Sequence, residues 1–201
     1  MQNHNLLENK LVYIEYGAGR AGLSSYVAQR LSEQKKTECR FVIVDRDTRR
    51  RKLDKNFREE YTTQREKMDI ADFDLQTYLG DSIPEASQLI CIAKHLCGGA
   101  TDLSLTSILK KQSKFPVGGV AIATCCHHQC DAKTFVNLEE LRARFSEQEI
   151  TILPRLSSWA ITVGTSHERK KVGFRVKRIL DYCRILWMRE VLPQEMKCGA
   201  I

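Results

Sequence analysis

The sequence lacks what would place the protein in a membrane or outside the cell. Its apolar runs end after five to seven residues, far short of the roughly twenty that cross a bilayer. The first thirty residues do not follow the order of a secretory leader. Long low-complexity linkers, internal repeats and C-x-x-C knuckles are missing too. Acidic residues are in deficit, 25 against 32 Lys and Arg, for a formal net charge of +7. Aromatic residues make up only 7% of the chain, still enough to build a core. The eight cysteines lie mostly within apolar, strand-like runs rather than in a spaced extracellular framework. These features predict free thiols in a reducing, intracellular setting, cytoplasmic or nuclear, with no membrane partner.

What is present suits one globular domain of 201 residues. Residues 11–145 alternate short apolar runs with amphipathic stretches, the pattern of βα units around a mostly parallel sheet. Strands are expected at Leu11 to Tyr16, Phe41 to Asp45, Leu89 to Lys94 and Val117 to Thr124, with a more polar edge strand at Thr62 to Asp69. Leu23, Tyr26, Val27 and Leu31 share one helical face, and Thr101 to Lys111 and Asp131 to Phe145 read as helices. Residues 146–201 are expected to hold an irregular segment, Glu149 to Gly164, and a basic helix from Ser166 to Leu186. The tail from Pro193 offers no strand pair. The expected fold is therefore doubly wound α/β without a closing antiparallel hairpin, as a fragment or a shorter form would show.

The sharpest local signal is Gly17-Ala18-Gly19-Arg20-Ala21-Gly22, a G-x-G-x-x-G run between an expected strand and an expected helix. Asp45 follows Gly22 by 23 residues, at the end of the second strand, where a carboxylate accepts hydrogen bonds from both hydroxyls of an adenosine ribose. The combination predicts a nucleoside-containing cofactor. Glu15 places a carboxylate where a methionine ammonium would be welcome and a pyrophosphate would not. Too little chain follows the sheet for a dehydrogenase's substrate domain, so S-adenosylmethionine is preferred. Asp69 and Ile70 could bond the adenine amino group and pack on its ring; Asp69 could equally cap a helix.

In open α/β sheets the reacting groups lie beyond the carboxyl ends of the strands. Here those ends are Lys94-His95-Leu96-Cys97-Gly98 and Thr124-Cys125-Cys126-His127-His128-Gln129-Cys130. The acidic or amide residue followed by two prolines that serves methylation of base amino groups is missing. A ribose hydroxyl needs help to lose its proton, and Lys94, His95, His127 and His128 are the groups able to give it. Zinc is the rival reading of Cys97, Cys125, Cys126, His127, His128 and Cys130. Adjacent Cys-Cys and His-His pairs are expected not to converge on one tetrahedral ion, so no metal is expected. A third reading makes Cys125 or Cys126 a nucleophile toward a pyrimidine carbon. Thr124 stands where proline usually precedes such a cysteine.

Arg46 to Arg58 carries seven basic residues in thirteen, Arg49, Arg50 and Arg51 among them. The late helix adds Lys177, Arg178 and Arg184 to a longer basic series. Such clusters hold polyanions and predict a nucleic-acid partner. Trp159 and Phe174 are expected in the core.

From about Leu11 to Arg184 the chain resembles the eukaryotic tRNA ribose 2′-O-methyltransferases that act on nucleotide 4 of the acceptor stem. The resemblance rests on Glu15 to Gly22, Lys94 to Gly98 leading into Ala100-Thr101-Asp102-Leu103, Cys125 to His128 with Cys130-Asp131, Ser157 to Ala160, and Lys177 to Asp181 with Arg184. It implies a class I methyltransferase (Rossmann-like) fold, S-adenosylmethionine as donor, and transfer to a 2′-hydroxyl of tRNA. It further implies an N-terminal Cys/His zinc finger and a closing strand pair, neither visible here. Cys183 stands where glycine is expected, a change able to disturb a helix terminus. The alternative is a non-catalytic RNA-binding or assembly module derived from such an enzyme.

Overall fold

In the computed structural model, residues 7, 10–47, 53–79, 83, 87–109 and 115–192 are described. Five strands form one sheet: β1 (Leu11–Tyr16), β2 (Arg40–Val44), β3 (Thr62–Glu66), β4 (Gln88–Cys97) and β5 (Val117–Cys125), in the order β3-β2-β1-β4-β5. The β3/β2, β2/β1 and β1/β4 pairs are all parallel. The order reverses between β1 and β4, the switch point at which α/β sheets leave a crevice. The polar β3 lies at an edge, as its sequence predicts. Among the described residues no strand follows β5, and no helix is long and apolar enough to cross a membrane.

The chain divides into two compact units. The first comprises residues 1–94 and 112–123, the second residues 95–111 and 124–201. In the first, every residue of β1 is buried, as a central strand covered on both faces must be. Helix α1 (Gly22–Glu33) buries Val27, Ala28 and Leu31 in one cluster with Tyr13, Phe41, Ile43, Phe57 and Tyr61. Phe41 is the aromatic hub, with Tyr13, Phe57 and Tyr61 rings centred 5.1–5.4 Å away. The short helix α2 (Leu75–Leu79) follows a 3-10 turn at Ile70–Asp72.

The second unit holds α3 (Gly99–Ile108), α4 (Leu138–Arg142), α5 (Glu147–Ser157) and α6 (His167–Val191). Its core joins Phe135, Leu141, Ile150, Leu153, Val176, Leu180 and Cys183. Three expectations are corrected here. The helix expected over Asp131 to Phe145 is reduced to α4, because the Asp131 side chain accepts the Lys133 N–H and turns the chain. The segment expected to be irregular is helical in its first part, where α5 runs to Ser157 with Pro154 inside it, and only the stretch after Ser157 is a 3-10 turn and loop. A capping box of Ser146 and Glu149 starts α5, while Ile150 and Leu153 bury its inner face, and together these outweigh the proline. Cys183 is buried within α6, which runs on to Val191, so no terminus falls there. Gly173 of α6 is a contact glycine: a Cβ there would stand 2.3 Å from the backbone nitrogen of Ala160.

Candidate functional site

The first unit supplies a loop between β1 and α1. Gly17 and Gly19 have φ of 60° and 53°, in the left-handed region that favours glycine. The third left-handed position is Ala21, at φ 58°, rather than Gly22. Asp45 Oδ2 accepts the Gly19 N–H at 2.7 Å, and its Oδ1 accepts the Asp47 N–H at 2.7 Å. Ala18 N–H donates to the Val44 carbonyl at 3.2 Å. On the other side, Arg65 Nη1 donates to the Gly19 carbonyl at 3.3 Å, while its Nε and Nη2 form a bidentate pair with Asp54 at 2.7 and 2.6 Å. Both backbone groups of Gly19 are thus tethered, and a Cβ at Gly19 would meet nothing within 4 Å. A rigid turn facing open space is what a ligand that approaches the backbone requires. The loop therefore fits the adenosine part of a cofactor.

Glu15 departs from its expected role. It is buried, and its Oε2 accepts the Ser24 N–H at 2.8 Å. Burial raises its pKa, with the bonds from Ser24 and Leu23 opposing that rise. It anchors the start of α1 rather than standing free for an ammonium. Asp69 Oδ1 accepts the Ala71 N–H at 3.0 Å and caps the 3-10 turn, and Ile70 beside it is buried. Arg65 and Asp54 were not anticipated; the signal was a lone arginine in the polar β3 and one of only two acids, Asp47 and Asp54, in the basic run.

In the second unit the chain after β5 builds an ionic network. His127 Nε2 lies 2.8 and 2.9 Å from the two oxygens of Asp181, and the Thr124 hydroxyl donates to Asp181 Oδ2 at 3.1 Å. Arg184 donates through Nη1 to Asp181 at 3.0 Å and through Nε and Nη2 to Asp102 at 3.0 and 2.7 Å. Burial works against the Arg184 charge, but the hydrogen bonds and charge of Asp102 push its pKa up. Burial would also raise the Asp181 carboxyl, yet the hydrogen bond from His127 and the charges of His127 and Arg184 hold it below the usual range. The Nδ1 atom of His127 is buried with no hydrogen-bond partner. His127 is buried, at 3% exposure, whereas Lys94, His95 and His128 are exposed.

The thiols of Cys97, Cys125 and Cys126 converge, with the Cys97 sulfur 3.6 and 3.4 Å from the other two. The six soft ligands do not all converge, since His127 is taken by Asp181, Cys130 by Arg184 and His128 is exposed, but the left-handed backbone of Cys126, at φ 48° and ψ 43°, goes with a meeting of three thiols. Burial and the neighbouring thiols push the Cys125 pKa well up. A bare thiol so disposed is a poor nucleophile, which counts against covalent attack on a pyrimidine.

Of the expected phosphate contacts, Arg49, Arg50 and Arg51 lie outside the described residues. Lys177 is half-buried and Arg178 exposed along α6. Arg184 is a correction: it is buried, and its charge is spent on Asp102 and Asp181. Phe174, expected in the core, is 52% exposed, and Trp159 is half-buried beneath the Arg169 guanidinium, 5.1 Å from its ring centre.

Comparison with known proteins gives these residues a context. The family model described as Methyltransferase TRM13 matches residues 1–165. The tRNA:m(4)X modification enzyme TRM13 of Vanderwaltozyma polyspora is 30% identical over all of this chain and 56% of its own length. That of Schizosaccharomyces pombe is 33% identical over 87% of this chain and 53% of its own, and the human homolog 29% identical over 80% and 41%. The chain spans about half the length of the curated relatives it matches. A solved Listeria monocytogenes protein assigned as an S-adenosylmethionine-dependent methyltransferase aligns at 12% identity over 55% of this chain and 44% of that one, at TM-score 0.34, a likeness too loose to identify a fold. With the family model matching most of its length, this chain belongs to the TRM13 methyltransferase family.

Proposed function

We propose that the chain is the catalytic part of an S-adenosylmethionine-dependent tRNA methyltransferase that modifies a ribose 2′-hydroxyl at position 4. The observation that carries this reading is the tethered Gly19 turn, open on its ligand side, in a member of the TRM13 family. When bound, the cofactor supplies an electrophilic methyl group on a sulfonium. Gly17 and Gly19 would let its backbone neighbours approach closely, and Asp45, already held by two N–H groups, would keep acceptor capacity for the ribose hydroxyls. Asp69 and Ile70 would serve the adenine. Glu15 would act on the site indirectly, by anchoring α1.

The hydroxyl proton would pass to one of the exposed groups, Lys94, His95 or His128. His127, bound by Asp181, would hold the turn that carries His128. Lys177 and Arg178 would meet backbone phosphates, with an affinity that falls as salt rises. Titration calorimetry with S-adenosylmethionine tests the cofactor half: heat is expected from the native chain and a large loss from Asp45→Ala. Incubation with unmodified tRNA and labelled donor, followed by nuclease mapping, tests the acceptor half. Absence of binding heat in the native chain would favour the non-catalytic RNA-binding module instead.

A further inference from the structure

Three thiols meet at the point where β4 and β5 end, and the reading above has no use for them. The Sγ atoms of Cys97, Cys125 and Cys126 all lie within 4.8 Å of one another. Four thiolates around zinc, each at about 2.3 Å, stand roughly 3.8 Å apart, whereas a disulfide needs about 2.05 Å. The observed 3.6 and 3.4 Å are close to the first spacing and far from the second. The surrounding backbone holds the thiols there. Gly98, next to Cys97, has φ 55°, and a Cβ on it would overlap the Gln129 carbonyl oxygen at 2.3 Å. Its N–H reaches the Cys125 carbonyl at 3.4 Å. Two turns locked by such a contact present the sulfurs without further ordering of the chain.

We propose that Cys97, Cys125 and Cys126 form a zinc-binding site of three thiolates. Binding releases the three thiol protons to solvent and places two positive charges among three negative ones. Cys97 is exposed, so the fourth position of the tetrahedron opens outward and takes water or a donor from outside the triad. Cys130 stays out of the set, since its sulfur accepts from Arg184 Nη2 at 3.1 Å. The ion would fasten the turn after β4 to the turn after β5, and its role does not depend on methyl transfer.

The test is metal titration of the purified chain, first stripped with a chelator under reducing conditions. Cobalt(II) is expected to bind at one per chain, with thiolate-to-metal charge-transfer absorption in the near ultraviolet, and zinc to displace it. The band should vanish in Cys97→Ser and in Cys126→Ser and persist in Cys130→Ser. Because a serine variant could simply misfold, alkylation of the native chain provides a second measurement. Zinc should slow modification of Cys97, Cys125 and Cys126 and leave Cys130 unchanged. A charge-transfer band that survives in Cys97→Ser, no cobalt binding with all three thiols alkylating freely, or a disulfide within the triad by mass spectrometry would each overturn the proposal.

Discussion

The two units hold their functional turns by different means. In the first, the Gly19 turn is fastened through backbone groups: its N–H goes to Asp45, 26 residues on, and its carbonyl to Arg65, whose own charge is met by Asp54 eleven residues away. In the second, the turn after β5 is fastened through side-chain charges, His127 to Asp181 and Asp181 to Arg184, with Asp102 82 residues from the arginine it pairs with. Asp54 also has Arg58 at 3.5 Å as a second cation, whereas the fully buried Asp102 has only Arg184 as an ion-pair partner among the described residues. A backbone tether tolerates a change in one side chain better than a buried charge tolerates the loss of its counterion.

That contrast predicts an order of effects. Arg184→Ala should cost the most, about 3–5 kcal/mol, because it strands the Asp102 carboxylate in the interior; urea denaturation measures it, and a loss under about 1 kcal/mol would erase the contrast. Gly98→Ala should follow at about 2–4 kcal/mol, since the new Cβ must both adopt a glycine conformation and displace the Gln129 carbonyl. Arg65→Ala should cost about 2 kcal/mol, reduced because Arg58 can still serve Asp54. It should also weaken S-adenosylmethionine binding by releasing the Gly19 carbonyl, an effect Arg184→Ala should not share in calorimetry.

The smallest effect depends on pH. The Asp181 carboxyl lies below its ordinary value in the folded chain. Its contribution is therefore fully present above the unfolded value of about 3.9 and is lost as pH falls through the lower folded value. Asp181→Asn should be less stable than the native chain by about 1–2 kcal/mol near neutrality. Thermal unfolding at a series of pH values should show that gap closing only below about pH 4; a gap that closes well above pH 4 would remove the Asp181 carboxyl as its source.

The glycine loop was legible because its parts are consecutive and Gly17 and Gly19 have a conformational reason to be glycine. The strands were legible for a similar reason: Leu11 to Tyr16 is apolar except for Glu15, as suits a doubly covered strand. Arg65 was invisible because nothing in a polar strand announces which of its side chains turns inward toward Asp54. Arg184 misled because a basic helix looks alike on all faces in one dimension; only packing against Asp102 distinguishes the buried guanidinium from exposed Arg178. The helix α5 was hidden for the opposite reason: Pro154 is a local breaker, and the capping box overcomes it only once Ile150 and Leu153 are buried.

Local order along the chain determined the sheet, the Gly17–Gly19 turn, the carboxylate at the end of β2 and the cationic character of α6, because each depends on near neighbours and on hydrophobic periodicity. Tertiary structure alone decided that His127 lies inside and His128 outside, that Arg184 is a buried counterion, and that three thiols at the ends of β4 and β5 face one another. Those outcomes depend on distances between residues tens of positions apart and on a single left-handed residue, Cys126. Such distances are set by which surfaces exclude water together, and no pattern of neighbouring residues encodes them.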